Sequence, residues 1–167
     1  MNNLVRCGVA AALAAAVSAS PAFAADTGSS LGVNATVSAN CSVSTTPVAF
    51  GTVDATSGQA VQGTGSISVT CTNGTAWTAS ADAGAGSGAD LVTRRMADGA
   101  NLLDYSLYTD SARTQLWGDG IEGVTALFSD TGSGVAQIKT VYGLIQGGQT
   151  GAPAGEYVDT VQVTVTY

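Results

Sequence analysis

The residues best suited to chemistry in this sequence are a few carboxylates, three cysteines and a small set of aromatic rings. Paired carboxylates can hydrolyse glycosides when they flank the scissile bond, and Asp110, Asp119, Glu122 and Asp130 lie near one another in sequence. Most of them stand beside Gly, Thr or Ser, where short acidic side chains cap turns and hold solvent. Calcium binding by Asp119 and its neighbours has no EF-hand spacing to support it. The 167 residues contain no His, which removes the Ser-His-Asp and Cys-His nucleophile systems and the commonest transition-metal ligand. The run AGAGSGAD from Ala83 to Asp90 is as glycine-rich as a phosphate loop but lacks its order and its Lys-Ser/Thr ending, so it reads as a flexible loop. Trp77, Trp117 and the five tyrosines could form a sugar platform, yet Trp77 and Tyr105 fall on the inward parity of their strands. Trp117, in the turn-like Leu116-Trp117-Gly118-Asp119-Gly120, is assigned to neither platform nor core. Three glycosylation sequons begin at Asn34, Asn40 and Asn73, as chance allows in a chain rich in Ser and Thr. No catalytic residue, metal site or cofactor is expected.

The cysteines are better read with the chain's beginning. Arg6, the apolar run Val9 to Val17 and the small-x-small ending Pro21-Ala22-Phe23-Ala24 form an export signal over residues 1–24, with Cys7 inside it. That run is too short to span a bilayer, and no later segment approaches the roughly 18 apolar residues required. Membrane insertion is therefore not expected. Cys41 and Cys71 remain, and two cysteines at strand ends in an exported chain read as one disulfide, the alternative being two unpaired buried thiols. Closing that loop stabilises by about 3–4 kcal/mol on the chain-entropy view.

Roughly 140 residues then remain, enough for one domain with a genuine core. Arg94, Arg95, Arg113 and Lys139 are the basic groups beyond the signal, against 12 Asp and Glu. Such a surface disfavours nucleic acid and anionic lipid. Charged residues are 10% of the chain, far below the roughly 25% usual for globular proteins. With its abundant Gly, Ala, Ser and Thr, the composition is closer to secreted structural proteins than to cytoplasmic enzymes.

Strand patterns run through the chain at short intervals. Leu31, Val33, Ala35 and Val37 alternate with Gly32, Asn34, Thr36 and Ser38 just ahead of Cys41, either as a first strand or as a detachable arm. Pro47 to Gly51 begins a short extended piece, and Ala55 to Gly65 reads as a connector. Ile67, Val69 and Cys71 alternate up to Asn73-Gly74, a hairpin-turn dipeptide, and Trp77, Ala79 and Ala81 continue on the way back, which predicts an antiparallel pair. Leu103, Tyr105 and Leu107 share a face, and Thr114 to Trp117 is a short partner after the turn at Asp110. Ile138, Thr140, Tyr142 and Leu144 define a further strand, and Gly147 to Gly155 a long turn region. Val161, Val163, Val165 and Tyr167 alternate to the last residue. With no convincing helix after residue 24, the fold class is all-β, a sandwich.

Several of these pieces together resemble the spore coat protein U domain family, which includes the pilin subunits of archaic, Csu-type chaperone-usher pili. They are the strand ending at Cys41, Val48-Ala49-Phe50-Gly51, Ile67-Ser68-Val69-Thr70-Cys71-Thr72, Leu103 to Tyr108 with Asp110, Trp117-Gly118, Val141-Tyr142-Gly143 and the ending AGEYVDTVQVTVTY. The resemblance implies an incomplete immunoglobulin-like β-sandwich completed by a donor strand from a neighbouring subunit. It implies three partners: a periplasmic chaperone, an outer-membrane usher and other pilin subunits. The place of action is then a pilus at the cell surface, reached through the periplasm, where it supports adhesion or biofilm formation.

On that resemblance Leu31, Val33, Ala35 and Val37 are the donor strand, and Cys41 with Cys71 is the structural disulfide. Val161, Val163 and Val165 belong to the acceptor groove. Residues 25–40 become the arm and hinge, and 41–167 the sandwich domain. Burying three branched aliphatic side chains and one methyl would contribute on the order of 5–10 kcal/mol before ordering costs, with Ala35 the weak position. Asp159 shares the parity of the groove valines, which places it at the solvated end of the strand, near a turn that Tyr157 could anchor. The competing reading is a secreted monomeric β-sandwich that serves as a coat protein or binds carbohydrate. A two-carboxylate hydrolase ranks behind both.

Overall fold

The computed structural model describes residues 23–121 and 123–167. The signal expected over residues 1–24 thus lies almost wholly outside the described residues, as does Glu122. From Phe23 to Asn40 the chain forms neither helix nor strand. The alternating stretch Leu31 to Val37 is therefore not a strand paired within its own chain. Among the described residues no helix is long and apolar enough to cross a membrane.

Among the described residues eight strands follow: β1 (Cys41–Ala49), β2 (Val61–Cys71), β3 (Ala76–Ala81), β4 (Arg94–Asp98), β5 (Asn101–Tyr108), β6 (Phe128–Thr131), β7 (Gln137–Ile145) and β8 (Val163–Thr166). They form a five-stranded sheet in the order β1-β2-β7-β5-β4 and a three-stranded sheet in the order β6-β3-β8. All the ladders are antiparallel. The fold is an all-β sandwich. Its core is built from alternate residues of both sheets, with Ile67, Val69, Cys71, Leu103, Tyr105, Leu107 and Val141 on one side and Trp77, Ala79, Ala81 and Phe128 on the other.

Several expectations change. Asn73-Gly74 does turn the chain, with Gly74 at φ 83°. It does not make a hairpin, because β2 belongs to the larger sheet and β3 to the smaller one. Ile67, Val69 and Cys71 face Trp77, Ala79 and Ala81 across the core rather than side by side, and the turn is held to the β6–β7 connection by Gly74 N–H donating to Gly132 O at 2.8 Å. The expected connector over 55–65 ends sooner, since β2 begins at Val61. β4 was not legible at all.

The inward face of β7 is also the opposite of the one expected. Val141, Gly143 and Ile145 are buried, whereas Ile138 is 68% exposed. Lys139 and Gly143 hide the pattern because neither reads as a core residue. Lys139 emerges at the strand's end, where its ammonium lies 5.9 Å from the Trp77 ring centroid and pairs with Asp130 at 2.7 Å. Gly143 makes room for β1: a Cβ there would meet Phe50 Cζ at 2.6 Å and Val48 Cγ1 at 2.7 Å.

β1 brings Val48, and Phe50 just beyond its end, to that place through an irregularity. Its register with β2 runs evenly from Cys41↔Cys71 to Thr46↔Ser66 and then shifts before Ala49↔Thr64. Pro47 sits in the shift, on an edge strand, where its missing N–H costs no ladder bond. The disulfide joins Cys41 to Cys71, residues directly opposite in this ladder. Beyond β1's start, Asn40 N–H donates to Thr72 Oγ1 at 3.1 Å and Thr72 N–H to Asn40 O at 2.9 Å.

The C-terminal strand is shorter than the valine alternation suggested. Val158 first bridges Ala97 on β4 through bonds of 2.9 and 3.1 Å, and the chain then crosses to the other sheet, where Val163–Thr166 pairs with β3. This segment ties one end of the sandwich together. The glycine-rich turn before it is anchored as expected, with Tyr157 donating to Pro153 O at 2.9 Å.

Candidate functional site

Of the carboxylates considered for catalysis, Asp110 and Asp119 hold turns, and Asp130 lies on β6. Asp110 accepts the N–H groups of Thr114 and Gln115 at 2.9 and 2.8 Å and the Thr114 hydroxyl at 3.0 Å. Asp119 accepts the Thr125 hydroxyl at 2.7 Å and Ile121 N–H at 3.1 Å. Asp130 accepts Thr131 N–H and the Lys139 ammonium. These bonds hold all three below the usual carboxylate range, led by the Gln115 N–H for Asp110, the Thr125 hydroxyl for Asp119 and Lys139 for Asp130. A glycosidase acid needs a raised pKa, the reverse of this arrangement. Among the described residues no group of three His, Cys, Asp or Glu is placed to hold a metal ion.

The polar groups that the fold does gather lie between the sheets. Arg94 is fully buried and donates to three backbone carbonyls: Asp82 O at 2.8 Å, Trp117 O at 2.8 Å and Leu91 O at 3.2 Å. Burial lowers its pKa, and the nearby Tyr105, Asp82, Asp159 and Asp90 oppose that shift. Its cross-strand partner Tyr105 donates to Asp159 Oδ2 at 2.6 Å. Burial, then the bond to Asp159, pushes the phenol above its ordinary range. Trp117 belongs to the core: it is 2% exposed, its indole N–H donates to Ala79 O at 3.0 Å, and its ring meets Phe128 edge-on at 5.1 Å.

Next to this cluster a groove of about 460 Å³ opens between the sheets. Val48 of β1 and Phe50 just beyond it, Ile67 of β2, Met96 of β4, Leu107 of β5 and Val141 of β7 line it from the larger sheet, and Val161 and Val163 from the other side. Asp159, Tyr157 and Tyr105 contribute its polar part. Of the three valines expected to share this groove, Val161 and Val163 line it, while Val165 packs against the core outside its lining. Among the described residues both flanking strands are edges: β1 ends the larger sheet, and β8 pairs only with β3. An edge beside apolar surface exposes unpaired backbone groups as well as hydrocarbon. Phe50, Met96 and Trp117 are lining residues that the sequence reading did not assign to the groove. Phe50 was visible in Val48-Ala49-Phe50-Gly51, whereas Met96 sits on the strand that had no signal.

The four residues expected to form the donor strand precede β1 in sequence. Leu31, Val33 and Val37 are 89%, 87% and 83% exposed. Ala35 is exposed as well. Water-exposed aliphatic side chains in period two, on a stretch without ladder bonds, are what a strand without a partner presents.

The Spore Coat Protein U domain family model matches residues 27–164. This chain belongs to that family. The spore coat protein U match takes in the groove and most of the N-terminal stretch. No curated protein matches the chain. Among solved structures it is similar to a chain of the CsuC-CsuE chaperone-tip adhesion subunit pre-assembly complex from archaic chaperone-usher Csu pili of Acinetobacter baumannii. The TM-score is 0.55 at 25% identity, over 79% of this chain and 40% of that one. The present chain thus spans well under half the length of the solved chain it matches. The likeness supports the spore coat protein U fold found in the strands.

Proposed function

We propose that this protein is a structural subunit of a chaperone-usher surface pilus, polymerised by donor-strand complementation. The observation that carries the reading is the open apolar groove flanked by the unpaired edges of β1 and β8, in a chain that also carries an exposed stretch of alternating apolar residues. Leu31, Val33, Ala35 and Val37 of one copy enter the groove of the next, where Val161 and Val163 meet them. A periplasmic chaperone covers the groove first, and an outer-membrane usher exchanges the chaperone strand for the arm. Family membership and the likeness to a Csu pre-assembly complex support this sequence of partners. The role is structural rather than catalytic, in adhesion or biofilm formation, and the chain is exported to the cell surface.

The test is a reconstitution with the cognate chaperone and usher. Deleting residues 25–38 is expected to leave the chaperone complex intact and to abolish polymers. Fibres formed by the truncated subunit would overturn the reading. The monomeric carbohydrate-binding alternative is not favoured, because Trp77 and Trp117 are both buried and neither offers a sugar platform.

A further inference from the structure

The groove contains one side chain whose chemistry is not merely apolar. The chain has two methionines, Met1 and Met96. Met96 is half-buried, faces Leu103 across the β4–β5 ladder and lines the groove beside Tyr157, Val158 and Asp159. A thioether on an open wall meets solvent while the groove is empty and is covered when a strand fills it. Resting on the proposed strand-accepting role, we infer that Met96 is an oxidation site that gates the groove. A peroxide-class oxidant converts it to the sulfoxide only while the groove is unoccupied, and the sulfoxide then opposes entry of an apolar strand.

The chemistry balances without any group from the protein. A sulfur lone pair attacks one peroxide oxygen, the S–O bond forms as the O–O bond breaks, and hydrogen peroxide leaves as water, with sulfur oxidised and peroxide reduced by two electrons. The product is a polar, chiral side chain where an adaptable apolar one stood. Its new oxygen needs a hydrogen-bond donor once water is displaced. Both phenols of the groove are committed, Tyr105 to Asp159 and Tyr157 to the Pro153 carbonyl. Asp159 offers only acceptors. The sulfoxide therefore disfavours entry of the apolar strand, and a strand already in place shields the sulfur from peroxide.

The experiment uses the purified protein, a fluorescent peptide copying residues 25–40, and hydrogen peroxide, with oxidation read by peptide mass mapping. Met96 is expected to gain one oxygen in the free protein and to be protected at least about tenfold by saturating peptide. The oxidised protein is expected to bind peptide at least about tenfold more weakly, with recovery after methionine sulfoxide reductase treatment. Met96→Leu keeps the volume and removes the sulfur, so it should bind peptide before and after peroxide alike. Equal oxidation with and without peptide overturns the inference, as does unchanged binding after oxidation or a peroxide-induced loss in Met96→Leu. Failure of the unoxidised protein to bind the peptide would instead strike down the strand-accepting role itself.

Discussion

Tyr105 donates its phenolic hydrogen to Asp159 at 2.6 Å, joining β5 of the larger sheet to the segment that leads into β8 of the smaller one. Asp159 Oδ1 accepts Ala85 N–H at 2.8 Å and Thr160 N–H at 2.7 Å as well. An acidic side chain on the parity of the groove valines is thereby tolerated, because its charge is met by donors from three segments. On the same face Arg94 fixes three carbonyls. The rim of the groove is thus pinned by polar bonds, while its walls remain apolar.

Replacing Tyr105 with Phe leaves Asp159 Oδ2 without this donor and should destabilise by about 1.5–3 kcal/mol at neutral pH, read as a lower urea midpoint with unchanged slope. The pH dependence has a definite sign. The folded state holds the phenolic proton more tightly than the unfolded chain does, so the contribution is complete below about pH 10 and declines as pH rises above it. The wild type should lose stability more steeply than Tyr105→Phe in that alkaline window. Parallel curves there would place the proton elsewhere.

Arg94 is a second test of the polar frame. Arg94→Met removes the donor to the carbonyls of Asp82, Leu91 and Trp117, each costing about 1–3 kcal/mol if left dry. Arg94→Lys should recover little, since one ammonium cannot reproduce the planar fork that reaches three acceptors. Thermal unfolding of the three proteins checks the order wild type, then Lys, then Met, with the first interval the larger.

Much of this was legible because alternation survives wherever both parities are chemically distinct. Ile67-Ser68-Val69-Thr70-Cys71 and Leu103 to Leu107 announce their buried faces directly. The signal failed where a functional shape overrode it. Gly143 is inward because Phe50 occupies the space a side chain would fill, so β7 reads in the wrong phase. Arg94, a charged residue wholly buried by bonds to backbone, made β4 look like loop. The groove's valines were visible as a run, but whether a given one lines a cavity or packs on the core depends on the crossing at Val158, which no local pattern encodes. The inter-sheet role of Asn73-Gly74 was hidden for a similar reason, since the same turn dipeptide serves a hairpin or a crossing.

Acid should weaken the loops before the core. Asp54, Asp90, Asp110, Asp119 and Asp130 all titrate below the ordinary Asp range, each held down by hydrogen bonds to its charged form. A depressed folded pKa means that the stabilisation is present above about pH 4 and is lost as pH falls through the folded values. Asp110→Asn and Asp119→Asn should therefore flatten the stability curve below about pH 4 relative to wild type. Denaturant midpoints measured between pH 2 and 6 decide this, and slopes identical to wild type would count against the turn-capping role.

Gly143 links the fold to the groove most directly. A methyl at this position would come within 2.6 Å of Phe50 Cζ and 2.7 Å of Val48 Cγ1, and both of those side chains line the groove. The neighbouring contacts are side chains rather than backbone, and the free space beside them is the groove. In Gly143→Ala the ring and the valine are expected to yield in that direction, costing about 1–3 kcal/mol in stability for the added volume. Gly147→Ala differs, because its Cβ would press only on the backbone of Gly58 and Gln59, away from the groove lining. Gly143→Ala should consequently bind a peptide of residues 25–40 more weakly than its loss of stability explains, whereas Gly147→Ala should lose stability more than binding. Peptide titration beside urea denaturation of both variants makes the comparison, and equal losses in both would mean that Phe50 does not move into the groove.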